Sequence, residues 1–236
     1  MRYDTILFDA DGTLLDFKKS EREAAREALQ ALGVCVTEEM LDRYNVINDG
    51  LWKQLERGLI EKKRLVVHRF ELLAEEFGCA FDPEVMSKEY MARLQTKGYW
   101  LEGAEDLCRI LRQKYRLYII TNGTEIIQKR RFAQCGLMPY FEDVFISDVI
   151  GAQKPSEKFF DYVADHIPTF DPCRTLVIGD SLSSDILGGI RYGLDTCWFN
   201  PDCNMAPAEL EGRITYTVSC FDALERLLTK GENDVD

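Results

Sequence analysis

From about residue 100 onward, short and almost continuously apolar runs alternate with helix-length amphipathic stretches, and this alternation constrains the fold more than any other feature. The runs are Arg116–Ile120, Asp143–Ile146, Thr175–Ile178 and Thr196–Phe199. A strand that is apolar along its whole length has to be covered on both faces. That condition is met by a parallel sheet whose crossover helices lie on either side. Thr5–Phe8, near the start of the chain, has the same character and fits the same sheet. The expected fold class is therefore α/β, a doubly wound, Rossmann-like parallel sheet.

Residues 18–97 break this rhythm, with no convincing strand and the spacing of about four helices. Ser20-x-x-Glu23 reads as a capping box ahead of Ala24, Ala25, Ala28, Leu29 and Leu32. A second helix carries Leu41, Tyr44, Asn48, Leu51 and Leu55, and a third carries Val66, Leu73 and Phe77. Asp82-Pro83 opens the fourth as an N-cap followed by proline. Gly33, Gly58, Gly78 and Gly98 stand where these helices would stop. A block of about eighty residues is too long for a loop. The expected organisation is an α/β core domain of residues 1–16 and 98–236, with a helical cap domain of residues 17–97 inserted after the first strand. Lys129-Arg130-Arg131 reads as the solvated face of a later helix, and the acidic tail Gly231–Asp236 is expected to fray.

Charge narrows the partners. Lys plus Arg number 29 against 41 Asp plus Glu, a net charge of −12. A protein that grips a nucleic acid polymer through its phosphates needs a basic face, and a polybasic membrane anchor needs the same excess. Apolar runs such as Leu117–Ile120 fall far short of the ~20 residues of a membrane helix. Asp4, Asp9 and Asp11 interrupt any secretory signal. The expectation is a cytoplasmic protein with no nucleic acid or membrane partner, either monomer or dimer.

The eight cysteines are scattered without a C-x-x-C pair and read as small buried thiols. Cys220 to Arg226 has the C-x5-R spacing of a cysteine phosphatase. It lacks the glycines that would let backbone approach a phosphate, and Phe221, Leu224, Leu227 and Leu228 make it an amphipathic helix. His68 and His166 are the only histidines, too few to build a histidine-based hydrolase on.

Four polar clusters follow the carboxyl ends of the expected strands: Asp9 with Asp11, Thr121-Asn122-Gly123, Lys154, and Asp180 with Asp185. In a parallel sheet these ends converge on one edge, where open α/β folds bind their ligands. Carboxylates brought that close repel by about 4 kcal/mol per pair at ~4 Å and an effective dielectric near 20. Such a cluster calls for a cation, and hard oxygen ligands select Mg²⁺. With Lys154 supplying further positive charge, the set suits phosphoryl transfer. Thr121, Asn122 and Gly123, at the start of the next helix, would hold the phosphoryl oxygens.

Asp9-x-Asp11-Gly12-Thr13, Thr121-Asn122, Lys154-Pro155 and Gly179-Asp180-Ser181-x-x-x-Asp185 resemble the four ordered motifs of the haloacid dehalogenase-like hydrolase superfamily. The helical insertion is similar to that superfamily's first cap class. The resemblance implies that Asp9 is the nucleophile of an aspartyl-phosphate intermediate. Asp11 would be the general acid for the leaving group and then the base for water. The Asp9 carboxylate, the Asp11 carbonyl and Asp180 would hold Mg²⁺, while Asp185 orients Lys154 or a metal-bound water. An aspartate at position 11 implies a phosphatase, because a departing halide needs no proton. The stretches from Gly179 to Gly189 and Thr121 to Gly123 look most like the branch with pyrimidine 5′-nucleotidases. That implies a small phosphorylated metabolite, a nucleoside 5′-monophosphate first, as substrate. Gly12, where this branch often has a third acidic residue, keeps a sugar-phosphate phosphatase or phosphomutase as the alternative. A non-catalytic phosphate-binding regulator is the rival from another class. In the cap, Lys18, Asn48 and Trp52 are candidates to meet the leaving group, with Trp52 equally suited to the cap core.

Overall fold

The protein is described here by a computed structural model covering residues 2–230. The tail Gly231–Asp236 lies outside the described residues. Six strands form one sheet: β1 (Thr5–Phe8), β2 (Arg116–Thr121), β3 (Asp143–Ile146), β4 (Thr175–Gly179), β5 (Asp195–Phe199) and β6 (Tyr216–Val218). Their order is β3-β2-β1-β4-β5-β6, and every pairing is parallel. β1 lies at the centre, with Leu7 opposite Tyr118 on one side and Val177 on the other. All four of its residues are buried, as the unbroken apolar run requires.

The helices are α1 (Phe17–Ala31), α2 (Glu38–Glu56), α3 (Lys62–Phe77), α4 (Pro83–Leu94), α5 (Ala104–Leu111), α6 (Glu125–Gln134), α7 (Ser147–Ile150), α8 (Glu157–His166), α9 (Leu187–Tyr192) and α10 (Phe221–Lys230). Phe159, Phe160 and Val163 of α8 pack with Leu7, Tyr118, Ile120 and Val177, which covers one face of the sheet.

The chain divides into two compact units. One comprises the residues up to Asp16, Trp100–Glu125 and the chain from Cys135 on; the other comprises Phe17–Tyr99 and Ile126–Gln134. The second unit is built on α1–α4. Ala24, Ala25, Ala28 and Leu29 of α1 pack with Leu41 and Tyr44 of α2, Phe70 and Leu73 of α3, and Met86, Tyr90 and Leu94 of α4. The rings of Tyr44 and Phe70 stack at 5.5 Å, and Tyr90 tilts against both.

Several local expectations are corrected. Helix α1 begins at Phe17, so Ser20 is a buried position inside it and the capping box does not form. Glu23 instead accepts from the Tyr99 hydroxyl at 2.7 Å and Lys97 Nζ at 3.4 Å. Asp82 does cap α4, accepting from the backbone N–H groups of Glu84 and Val85. Strand β6 was not expected, since three residues are too few to carry a period. Arg131 is fully buried rather than solvated. Its guanidinium donates to the Lys97 carbonyl at 2.9 Å and to Gln128 Oε1 at 2.8 Å and lies over the Phe17 ring. Residues 126–134, assigned by sequence to the α/β domain, group with the helical unit. All eight cysteines are free thiols, but only Cys108 and Cys197 are buried, and Cys35, Cys173, Cys203 and Cys220 are exposed.

Gly188 in α9 faces α8 so closely that a Cβ there would lie 2.6 Å from the Phe160 ring and 3.2 Å from the Pro155 Cα. Gly50 in α2 has open space around it. Gly188→Ala is expected to cost about 1–3 kcal/mol by overpacking. Gly50→Ala is expected to gain about 0.5–1 kcal/mol from helix propensity. Thermal melts of the two variants should therefore move in opposite directions.

Candidate active site

Asp9 is the first residue past β1, and its N–H still reaches the Ile178 carbonyl at 2.8 Å, which ties the position to β4. Beyond it the chain closes a tight turn, with the N–H groups of Leu14 and Leu15 both donating to the Ala10 carbonyl. Gly12 occupies the left-handed region of this turn at φ 90°. A Cβ at Gly12 would lie 2.5 Å from Asp180 Oδ2, so the left-handed backbone favours glycine and a side chain there would have to displace the Asp180 carboxylate.

Lys154 is 1% exposed, and its ammonium makes three bonds: to Asp9 Oδ1 at 2.7 Å, Asp185 Oδ1 at 2.6 Å and the Ile120 carbonyl at 2.7 Å. An ammonium has three protons, and all three are committed. The Asn122 side chain holds the same residue from behind. Its Nδ2 donates to the Lys154 carbonyl at 3.0 Å, and its Oδ1 accepts from the Lys154 N–H at 2.9 Å. The amide therefore fixes the lysine backbone, while Thr121 Oγ1 accepts from the Gly123 N–H at 3.1 Å and shapes the loop after β2.

Asp180 directly follows β4. Its N–H donates to Thr13 Oγ1 at 3.0 Å, and the same hydroxyl lies 3.4 Å from Asp180 Oδ1. After Ser181, the five residues Leu182–Ile186 form a π-helical turn that brings Asp185 back under the strand end. Asp185 Oδ2 accepts from the Ser181 N–H at 3.1 Å, which leaves Oδ1 for Lys154. A Cβ at Gly179 would meet Asp185 at 2.3 Å, so the aspartate lies flush against bare backbone.

Asp9, Asp180 and Asp185 each present an oxygen within 4.8 Å of the others, a group that can hold a metal ion. Asp9 Oδ2 is buried and has no hydrogen-bond partner, although it belongs to an anionic group. A buried anionic oxygen left without a donor calls for a cation, and an all-oxygen donor set suits a hard one. Electrostatics point the same way. Burial pushes the Asp9 carboxyl up, the Lys154 ammonium opposes this, and the charges of Asp185 and Asp180 add to it. Asp180 is open to solvent on one side. Desolvation by the surrounding chain, then the Asp185 charge, pushes its carboxyl up to about 7. Lys154 is held protonated by its two carboxylate partners, against the effect of its burial.

The fold thus brings together Asp9, Lys154, Asp180 and Asp185, with Thr121 at the end of β2 and Asn122 in the loop that follows. The Asp11 carboxylate is not one of the three that converge. Lys18, Asn48 and Trp52 belong to the helical unit. There Lys18 is exposed, and Asn48 is 1% exposed with its amide between Glu21 at 2.8 Å and Arg69 at 3.0 Å. Trp52 packs on Leu51, Leu55 and Leu65. Sequence reasoning did not assign roles to the Thr13 hydroxyl or to Trp198, whose indole Nε1 donates to the Asp180 carbonyl at 2.9 Å. The available signal for Trp198 was its place near the end of the fifth apolar run.

A family profile for haloacid dehalogenase-like hydrolases matches residues 3–193. HAD-hydrolase YfnB of Bacillus subtilis (strain 168) is 40% identical over 227 residues, covering 96% of each protein. Pyrimidine 5′-nucleotidase PynA of Streptococcus pneumoniae is 42% identical, covering 98% of this chain and 97% of that protein. Pyrimidine 5′-nucleotidase YjjG of Escherichia coli (strain K12) is 34% identical over 98% of this chain and the whole of that protein. The magnesium-bound crystal structure of YfnB superposes with a TM-score of 0.92 at 39% identity, over 97% of this chain and 100% of that one. A dehalogenase structure at 16% identity and a TM-score of 0.75, covering 96% of this chain and 97% of that one, shares the fold. With sheet order, site geometry and relatives in agreement, this chain belongs to the haloacid dehalogenase-like hydrolase family and is a hydrolase.

Proposed function

We propose that the chain is a Mg²⁺-dependent phosphomonoesterase of the cytoplasm that hydrolyses a nucleoside 5′-monophosphate through an aspartyl-phosphate on Asp9. The observation that carries this reading is the Asp9 carboxylate, buried, with one oxygen held by Lys154 and the other without a partner among acidic neighbours. Asp9 and Asp180 are the carboxylates that would hold Mg²⁺, with the Asp11 carbonyl as third protein ligand. When bound, the ion supplies charge neutralisation between the nucleophile and the phosphoryl oxygens.

The chain's own groups do the rest. Lys154 orients Asp9 and offsets its charge, so one anion can approach another. The Asp9 carboxylate attacks phosphorus, the P–O bond to the leaving group breaks, and Asp11 gives its proton to the departing oxygen. Asp11 then takes a proton from water as that water attacks phosphorus, releasing phosphate and restoring the Asp9 carboxylate. The Thr121 hydroxyl and the N–H groups of the loop through Gly123 are the donors for the phosphoryl oxygens, and the Asn122 side chain sets that loop against Lys154.

The nucleotide assignment is supported by the pyrimidine 5′-nucleotidases PynA and YjjG, which this chain matches over almost their full lengths. A sugar-phosphate reading has one observation in its favour: glyceraldehyde 3-phosphate phosphatase of Pyrococcus abyssi is 31% identical over 82% of the chain.

With Mg²⁺ and p-nitrophenyl phosphate, Asp9→Asn is expected to lose at least about 10³-fold in kcat. Retained turnover would remove Asp9 from the chemistry. In a panel of phosphate esters, pyrimidine nucleoside 5′-monophosphates are expected to give the highest kcat/KM. A sugar phosphate in first place would overturn the substrate and leave the reaction standing.

The raised carboxyl of Asp180 fixes a pH dependence. Between its unfolded value near 3.8 and its folded value of about 7, the folded chain binds the extra proton. Cation-free stability therefore falls as pH rises through this window. Melting temperatures in EDTA should decline from pH 5 to 8, less so in Asp180→Asn. The Mg²⁺ concentration needed for half-maximal stabilisation should fall over the same range in the wild type, because the ion competes with a proton.

A further inference from the structure

We infer that Trp198 is a positioning residue for the cation site: its indole N–H fixes the Asp180–Ser181 peptide and, through it, the placement of Asp180, Asp185 and Lys154. The inference rests on the reading that Asp9 and Asp180 hold Mg²⁺.

Trp198 lies in β5, 5% exposed, and pairs in register with Gly179, the last residue of β4. The carbonyl of Asp180 is one residue beyond that ladder, and the indole reaches it at 2.9 Å. A buried indole N–H needs an acceptor, and here it takes the backbone of a residue whose side chain serves the ion. The same peptide is held at its other end, since the Ser181 N–H donates to Asp185 Oδ2 at 3.1 Å. The preceding peptide is held as well, by the Asp180 N–H on Thr13 Oγ1 at 3.0 Å. Both planes flanking Asp180 are thus pinned by side chains.

From Trp198 the bonds run on without a gap. Nε1 donates to the peptide, the peptide donates to Asp185, and Lys154 bridges Asp185 Oδ1 at 2.6 Å to Asp9 Oδ1 at 2.7 Å. Each bond polarises the next in a site of low dielectric. Removing the indole N–H strands the Asp180 carbonyl and frees the plane to rotate. That loosens the carboxylate geometry on which a small, octahedral ion depends. Groups that orient metal ligands typically contribute 10–100-fold to metal affinity.

The test is a Mg²⁺ titration of wild type and Trp198→Phe, read as the rise in melting temperature over each protein's own cation-free value. Phenylalanine keeps most of the packing and loses only the donor. The half-effect concentration is expected to rise roughly 10-fold. Trp198→His, which restores a ring N–H, should fall between the two. An unchanged half-effect concentration in Trp198→Phe overturns the inference, even if its cation-free melting temperature drops, because that pattern is packing alone. A wild type that does not respond to Mg²⁺ instead overturns the cation reading itself. Should the phenylalanine variant not fold, the emission of a Trp52→Phe, Trp100→Phe variant, in which Trp198 is the sole tryptophan, carries the test. A change with the Mg²⁺ midpoint supports the inference, and an emission blind to Mg²⁺ overturns it.

Discussion

The ammonium of Lys154, enclosed between Asp9 and Asp185, is the interaction on which the rest of this site depends. At separations of 2.6–2.7 Å each contact contributes roughly 6 kcal/mol of attraction at an effective dielectric near 20. Much of that attraction offsets the desolvation of three charged groups, so the cluster adds little net stability. What it provides is placement. Two carboxylates and a carbonyl meet at a point none could occupy alone, and the lysine has no proton left for any other partner. With Asp180 beside the pair, this edge of the sheet gathers three carboxylates whose oxygens lie close enough together that they could hold a metal ion.

The sheet explains why residues 145 and 31 positions apart in sequence can share one ammonium. With β1 between β2 and β4 and all strands parallel, the ends of these three strands lie side by side. The loops leaving them carry Asp9, Thr121-Asn122 and Asp180. Small departures from regularity complete the arrangement: a left-handed glycine at position 12 and a π-helical turn that aims Asp185 back at the strand end. Both are local distortions held in place by the polar groups they serve.

The fold was legible because its signal is long-range and repetitive. Five buried runs and the strand-end polar clusters are enough to define a parallel sheet and its working edge. What stayed hidden depends on single contacts. Arg131 sits in a basic triplet that reads as surface, yet in the interior a carbonyl from Lys97 and the amide oxygen of Gln128 accept from its guanidinium. Ser20 and Glu23 have the spacing of a cap, but α1 extends a turn further back and recruits Glu23 for Tyr99. The motif that contains Asn122 says nothing of its side chain's partner, the Lys154 backbone, which engages both its nitrogen and its oxygen. No periodicity encodes such pairings, because each depends on a neighbour distant along the chain.

Gly12 and Gly179 each abut a carboxylate of the site, Asp180 in one case and Asp185 in the other. At Gly179 a side chain would meet the carboxylate and Cβ of Asp185, so it can enter only if that aspartate, and the Lys154 ammonium it holds, move with it. At Gly12 the facing group is the outer end of the Asp180 side chain, which can turn aside, so there the left-handed backbone is the stronger constraint.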